Sequence, residues 1–189
     1  MKAVASTGEL GDIRRILPRV LHQTMIECPG CRLKLPDQHL DLPDRANASG
    51  ECLQVYSDLQ CYTVAKQDPG FIHQHVVDTY AAQHAGGSTR TITVAFGLIG
   101  LYLAMEKGYT GKRVQLAHMR IAKFRKVWPR LEPPRQPAIL TVMDVLHVGT
   151  DEEKDVMIRK WMTAVWGSWA DRHWWARTTT DELLNFSRK

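Results

Sequence analysis

The sequence predicts a mainly α-helical protein: one helical domain with an N-terminal cysteine-knuckle loop and little or no β-structure. Apolar residues recur at helical spacing over most of the chain, glycine and proline separate the helical segments, and strand-like alternation is confined to the loop after the first cysteine pair. The 189 residues are 44% hydrophobic and 24% charged, which is enough to bury a core without cross-links. This composition excludes disordered, collagen-like and disulfide-scaffold proteins.

Residues 1–26 are predicted to be a loosely attached extension, and residues 27–189 to form the helical domain. Pro18 and the polar opening leave the extension little to bury. The first residues lack the charged, apolar and small-residue order of a secretory signal, so we expect a cytoplasmic protein. In that reducing compartment the four cysteines are better assigned to free thiols or metal ligands than to disulfides.

Turn residues delimit the first two helices of the domain. Residues 27–47 are rich in Pro and Asp, which predicts a loop with a strand-like knuckle. Ser49 is then a predicted N-cap, and the first helix ends at Asp68-Pro69-Gly70. A second helix is predicted over about residues 71–84, where a pair of glycines stops it.

The longest uncharged run, residues 91–105, predicts the central buried helix, which we expect from about Arg90 to Lys107. Its 15 residues are fewer than the about 20 that cross a bilayer, so neither a membrane span nor a membrane partner is predicted. A fourth helix is predicted over about residues 111–127. Four of the nine prolines then lie in residues 129–137, which predicts an extended connector because proline cannot continue a helix.

One long helix is predicted to dominate the C-terminal third. Before it, the short apolar run 138–148 leaves strand and helix open. Thr150, followed by three acidic residues, predicts a capping box that opens a helix through about Trp175, with a short last helix after Thr180. Five of the six tryptophans lie between residues 161 and 175, too many to bury fully, so we expect some of them to wall a groove or a dimer surface.

The sequence Cys28-Pro29-Gly30-Cys31 places two thiols across a tight turn, a geometry typical of a zinc knuckle. A redox dithiol would instead open a helix after a strand, and the Arg-Leu-Lys-Leu-Pro that follows does not favour a helix. The alternative to metal binding is two reduced thiols in a loop, since no second close cysteine pair completes a zinc ribbon.

Cys52 and His84 are the predicted partners of this pair. Cys52 lies in the first turn of a helix, where the dipole favours a thiolate, whereas Cys61 faces the opposite side and is predicted to be a small buried apolar residue. His84 ends the second helix, where a ring nitrogen could reach a metal held by the knuckle. The predicted ion is zinc in a structural role, because thiolate-rich zinc sites are closed. The predicted ligands are Cys28, Cys31, Cys52 and His84.

Asp78, Tyr80 and His173 are the candidates for chemistry in a polar pocket near the metal. His84 and Tyr80 share one stripe of their helix while Asp78 lies on another face, so this helix touches two polar environments. In a small-molecule enzyme, Asp78 or His173 would act as acid or base, and Tyr80 would donate a hydrogen bond. The alternative is that these are core residues with their polar ends hydrogen-bonded.

Two other functions stay open. Residues 112–135 hold eight basic residues and one acid, a local charge of +7 against +5 for the whole chain, so this segment could contact the phosphates of a nucleic acid. An ordinary solvated helix face is the alternative, because no recognition motif accompanies the charge. The tryptophan-rich end could instead form the contact surface of a homodimer or a scaffold protein.

The motifs together resemble those of an uncharacterised, mainly bacterial family recorded as a domain of unknown function. The resemblance covers about residues 27–177 and implies no activity. Three positions depart from the family's usual pattern: Arg32 and Ala85 stand where the family has glycine and proline, and Ala95-Phe96-Gly97 lacks a histidine that members often carry. This protein could therefore bind differently from its relatives. The matching motifs are Cys28 to Cys31, Glu51-Cys52, Val77 to His84, and Trp161, Val165-Trp166, Trp169 and His173.

Overall fold

The computed structural model describes residues 24–124 and 127–186, and most of the predicted N-terminal extension lies outside the described residues. The described residues form a two-stranded hairpin and seven α-helices, which confirms the predicted mainly helical fold with little β-structure. The strands are β1 (Met25–Glu27) and β2 (Lys34–Pro36). The helices are α1 (Gly50–Ala65), α2 (Ile72–Gln83), α3 (Thr91–Met105), α4 (Gly111–Phe124), α5 (Val142–Leu146), α6 (Asp151–Ser168) and α7 (His173–Phe186).

The cysteine knuckle is the connection of the β-hairpin. β1 and β2 pair antiparallel, with Glu27 opposite Lys34, and β1 includes the last two residues of the predicted extension. Within the connection, the Cys28 amide donates to the Leu33 carbonyl at 2.8 Å. Strands of three residues are too short for independent stability, so this hairpin depends on what its connection is attached to.

The first turn of α1 is fixed by two side chains. Ser49 is the N-cap, as predicted, and its hydroxyl accepts from the Cys52 amide at 3.1 Å. Glu51 is 1% exposed, and its Oε1 accepts from the amides of Gln38 and Leu40 at 3.2 and 3.3 Å. These bonds tie the loop after β2 to the turn that carries Cys52.

α3 is the central buried helix, as predicted from its uncharged run. It lies very close to α2, since a Cβ added at Gly97 would come within 2.7 Å of the Asp78 carbonyl oxygen. α2 also contacts α1, α4 and α6, so it lies at the centre of the helical packing. None of the helices in the described ranges has the length and apolar character needed to cross a membrane.

Side-chain caps start the two helices that follow the proline-rich connector. The segment that the sequence leaves open between strand and helix contains the short helix α5, capped by Thr141, whose amide and hydroxyl donate to the Asp144 carboxylate at 2.7 and 2.9 Å. α6 opens on the predicted capping box. In it the Thr150 hydroxyl accepts from the Glu153 amide at 3.2 Å, and the Glu153 carboxylate accepts from the Thr150 amide at 2.9 Å.

The predicted long helix through about Trp175 is wrong, because the chain turns at Trp169. This residue leaves the helical conformation, with φ −95° and ψ 21°, and its indole donates to the Ala82 carbonyl of α2 at 3.3 Å. A 3-10 turn over residues 170–172 follows. α7 begins directly after that turn, earlier than the predicted short last helix.

The turn at Trp169 also affects how many of the tryptophans are buried. Because α6 and α7 reach the core separately, four of the five tryptophans in residues 161–175 are buried, against the expectation that they are too many to bury: Trp161, Trp166, Trp169 and Trp175. Trp174 is the exception at 63% exposed. The prediction of an exposed tryptophan surface therefore applies to a single residue.

Candidate metal centre

Four buried side chains from three elements meet at one point. The hairpin connection supplies two of them, the first turn of α1 supplies the third, and the C-cap of α2 supplies the fourth. They are Cys28, Cys31, Cys52 and His84. Their ligand atoms all lie within 4.8 Å of one another. The structure thus brings together the four residues that the sequence predicts as ligands, and this group could hold a metal ion.

Two distances inside this group, called here the Cys3His cluster, match tetrahedral coordination. Cys31 Sγ and Cys52 Sγ lie 3.7 Å apart, and Cys52 Sγ lies 3.4 Å from His84 Nε2. Around a tetrahedral zinc ion with bonds of about 2.3 Å to sulfur and about 2.0–2.1 Å to nitrogen, two sulfurs would be about 3.8 Å apart and a sulfur and a nitrogen about 3.6 Å apart. These two spacings differ from the expected ones by no more than about 0.2 Å.

The His84 imidazole is oriented as a metal ligand. Its Nδ1 lies 2.9 Å from the Tyr80 carbonyl oxygen, which can only accept, so Nδ1 carries the hydrogen and donates it. The lone pair is therefore on Nε2, the nitrogen that faces Cys52. Metal-binding histidines characteristically donate their second ring N–H to a carbonyl or carboxylate in this way.

The backbone of the knuckle favours glycine at two positions. A Cβ at Gly30 would lie 2.6 Å from Cδ2 of His84 and would overlap the Asn47 carbonyl oxygen, so a larger residue would push the knuckle off the histidine. Arg32 has φ 65°, in the left-handed region where glycine is favoured. Glycine would adopt this backbone without strain, and Arg32 adopts it at a cost.

The three thiols control one another's ionisation. Hydrogen bonds from Cys31 and then from Cys52 lower the pKa of Cys28. The contact with Cys28 is the main cause that raises the pKa of Cys31 to about 12, and contacts with Cys28 and Cys31 raise the pKa of Cys52. The cluster by itself therefore favours a single thiolate. Deprotonation of the second and third thiols requires a nearby positive charge, which a divalent metal ion supplies.

Cys61 takes no part in this cluster. It lies on the opposite side of α1 from Cys52, as predicted, but it is exposed rather than buried. The reason is that α1 buries the stripe of Cys52, Tyr56, Leu59 and Thr63, which leaves Cys61 facing solvent. Cys61 is therefore a natural control residue for the cluster.

Tyr80, one of the three predicted catalytic residues, contacts the cluster. Its hydroxyl lies 3.7 Å from Cys52 Sγ, and its ring stacks between His84 and Tyr56, with centroids 3.8 and 3.7 Å away. Burial is the main cause that raises the pKa of Tyr80 above its usual 10. The phenol thus keeps its proton at neutral pH and can donate it to the sulfur.

Two cavities adjoin the cluster on different sides. One of about 190 Å³ is lined by Tyr56, Tyr80, His84 and neighbouring residues, and one of about 430 Å³ is lined by Cys31, Arg32 and residues of the connector and α5. The walls of these two cavities include neither of the other two predicted catalytic residues, Asp78 and His173.

Asp78 is buried between α2, α3 and α4. Its Oδ1 accepts from Gln74 Nε2 at 3.0 Å and lies 3.9 Å from His118 Nδ1, and its Oδ2 has no hydrogen-bond partner among the described residues. A Cβ at Gly100 would overlap Oδ2, so the carboxyl packs directly on the α3 backbone. Burial raises the pKa of Asp78 well above its usual 3.8. Burial also lowers the pKa of His118 to about 4, so the Asp78 carboxyl and the His118 imidazole both favour their neutral forms.

His173 lies at the start of α7 and packs on α6. Its ring stacks on Trp166 with centroids 3.7 Å apart, and its Nε2 donates to the Trp166 carbonyl at 2.9 Å. Among the described residues, the side-chain hydrogen bonds of Asp78, His84 and His173 share no partner. The structure joins Tyr80 to the cluster and gives Asp78 and His173 other surroundings, and the catalytic roles of all three stay predictions.

His118 is the residue of this region that the sequence-based analysis does not single out. It lies on the buried face of α4 with Val114 and Ile121, and its ring contacts Phe96 with centroids 4.7 Å apart. The signal is present in the sequence, since residues 114, 118 and 121 share one helical stripe. The partner of that stripe on another helix is not visible in the sequence.

Comparison with models of protein families shows which known proteins this chain is related to. The model of DUF5946, a family of unknown function, matches residues 26–170. The chain belongs to this family. The match confirms the resemblance drawn from the motifs, and it spans the whole Cys3His cluster of this DUF5946 protein, while His173 lies beyond it. No curated protein and no solved structure matches the chain.

Proposed function

We propose that this DUF5946 protein binds Zn²⁺ through Cys28, Cys31, Cys52 and His84, and that the ion has a structural role. The observation that carries the proposal is the geometry of the cluster: four buried ligand atoms lie within 4.8 Å of one another, and two of their spacings suit a tetrahedral ion. The orientation of the His84 ring supports it, because the free lone pair faces the sulfurs.

The donor set favours zinc among the common metals. Three thiols and one imidazole are soft and borderline ligands, whereas Mg²⁺ and Ca²⁺ take oxygen ligands. A tetrahedral set of sulfur and nitrogen donors is typical of structural zinc sites with three cysteines and one histidine. All four ligands come from this chain, so no position is kept open for a substrate.

The position of the cluster explains what a structural ion would do. The short hairpin has little core of its own, and its connection carries two of the ligands. The other two ligands belong to the start of α1 and the end of α2. One ion would therefore fasten the hairpin to both helices at a single point, which would stabilise the N-terminal part of the domain.

The burial of the ligands does not favour a reaction at the cluster. The cavity beside His84 and Tyr80 measures about 190 Å³, below the roughly 300–1,000 Å³ of most small-molecule sites, whereas the cavity beside Cys31, at about 430 Å³, lies within that range. The ligands themselves are 3% exposed or less. A structural ion accounts for these features better than a catalytic one.

Thermal unfolding with and without a strong chelator tests the proposal. We expect the chelator to lower the unfolding midpoint of the wild type, because an ion that binds only the folded state stabilises it. Cys52→Ser should start at the lowered midpoint and respond no further. Cys61→Ser, on the same helix but exposed, should behave as the wild type. A wild-type midpoint that does not move when the chelator removes the bound metal would contradict a structural role.

A further inference from the structure

The outward face of α4 carries cations without matching anions. The helix contains no aspartate or glutamate. Four of its basic residues are exposed: Lys112, Arg113, Arg120 and Lys123. Across residues 24–124 and 127–186, none of these four lies within ion-pair distance of a carboxylate. The charge on this face is therefore not neutralised by the described parts of the chain.

Apolar side chains share that face. Leu116 is 51% exposed, Met119 is 60% exposed and Phe124 is 55% exposed. The buried side of α4 is formed by Val114 and Ile121, and at 100° per residue Leu116 and Met119 point away from it. A helix face that only meets water carries polar residues at its centre, so the packing of this chain does not explain these positions.

A shallow cleft of about 270 Å³ opens at the edge of the same face. It is lined by Tyr109, Arg113, Leu116, Arg120 and two further residues. The Arg113 guanidinium lies 3.8 Å above the centre of the Tyr109 ring, which holds it in place. Two guanidinium groups thus line one opening, an arrangement that suits the planar recognition of phosphate groups.

We propose that the outward face of α4 binds the surface of an anionic lipid bilayer. The unpaired cations attract negatively charged headgroups, and the exposed leucine and methionine enter the boundary between headgroups and acyl chains. The face is a convex ridge of one helix, which suits a deformable surface. A nucleic acid would use the same cations, but it offers no apolar phase for Leu116 and Met119. This inference does not depend on the proposed zinc site.

Vesicle sedimentation with the 189-residue chain as purified tests the inference. The probes are vesicles of phosphatidylcholine alone and vesicles in which a third of the lipid is phosphatidylglycerol. We expect binding to the anionic vesicles only, and we expect it to weaken sharply near about 1 M salt, where the screening length falls to about 3 Å. Absence of binding to the anionic vesicles, or equal binding to both kinds, would overturn the inference.

Charge variants locate the binding face. Arg120→Gln with Lys123→Gln should weaken binding to anionic vesicles about 25-fold, at about fivefold for each cation removed. Arg159→Gln with Lys160→Gln makes the same change in net charge on the exposed side of α6 and should leave the affinity within about twofold of the wild type. Equal losses in the two double variants would show that the attraction is general and would overturn the inference.

Apolar variants separate a bilayer from a nucleic acid. Leu116→Ser with Met119→Ser should weaken vesicle binding about tenfold or more while leaving the circular dichroism spectrum unchanged, because both side chains are exposed. Val156→Ser, at a 44% exposed position of α6, is the matched control. Tight binding to duplex DNA that survives the Leu116 and Met119 changes, with no vesicle binding, would assign the face to nucleic acid and overturn the inference.

Discussion

Asp78→Asn should stabilise the protein relative to the wild type by an amount that grows as the pH rises. The Asp78 carboxyl is 2% exposed and accepts one hydrogen bond, from Gln74. Burial raises its pKa well above 3.8, and the Gln74 bond offsets only part of that. His118 faces the carboxyl but, with a pKa lowered to about 4 by burial, supplies no positive charge near neutral pH. Asn fits the same space and never ionises.

The magnitude follows from the number of protons that each state binds. Above pH 3.8 the unfolded chain releases the Asp78 proton while the folded protein keeps it, so wild-type stability falls with rising pH until the folded pKa is passed. Each pH unit in that window removes up to about 1.4 kcal/mol from the wild type and nothing from the Asn variant. The gain of the variant should therefore grow by up to about 3 kcal/mol between about pH 5 and about pH 7.

Urea unfolding at several pH values, followed by circular dichroism, measures this difference directly. Both proteins contain His118 and the cluster, so the titrations of these groups cancel in the comparison to first order. Asp58→Asn is the matched control, because Asp58 accepts the same type of bond, from Gln54 at 3.2 Å, but is exposed. Because Asp58 is not buried, the gain expected of Asp78→Asn should be absent in this control. If the effect of Asp78→Asn on stability stays constant or shrinks as the pH rises, the buried Asp78 carboxyl is not protonated in the folded protein.

Two backbone predictions can be checked by thermal unfolding. Arg32→Gly should raise stability by about 1 kcal/mol, because it relieves the left-handed φ of 65° and loses only an exposed ion pair with Glu27. If stability does not rise, the φ of Arg32 carries no conformational cost. Gly97→Ala should cost about 1–3 kcal/mol, because the new Cβ would meet the Asp78 carbonyl oxygen at 2.7 Å. Gly167→Ala, in α6 with open space around it, should instead gain up to about 1 kcal/mol, and equal effects at both glycines would contradict the close packing of α2 and α3.

The ligand set could be predicted from the sequence because each ligand has a local signal. The knuckle has its own turn residues, Cys52 follows a clear N-cap, and His84 precedes a glycine pair that ends a helix. Such signals depend on a few neighbouring residues, so they can be recognised without knowing the contacts between distant segments. The Cys3His cluster needs these local elements to meet at one point, and the structure provides that meeting.

The features that the sequence did not reveal depend on contacts between distant segments. Residues after Trp169 have no helix-breaking signal, and the turn there is accompanied by an indole hydrogen bond to Ala82, which lies 87 residues earlier. The exposure of Cys61 depends on which side of α1 packs against the core. The approach of His118 to Asp78 joins α4 to α2, and periodicity along one helix does not specify the partner helix.

The zinc content of the purified protein tests the central claim most directly. Elemental analysis should find about one zinc ion per chain in the wild type and in Cys61→Ser, and a large loss in Cys28→Ser, since removing one ligand opens a closed site. Protein prepared without added zinc is the appropriate sample. Less than half an equivalent in the wild type, unchanged in Cys28→Ser, would contradict the proposed metal centre.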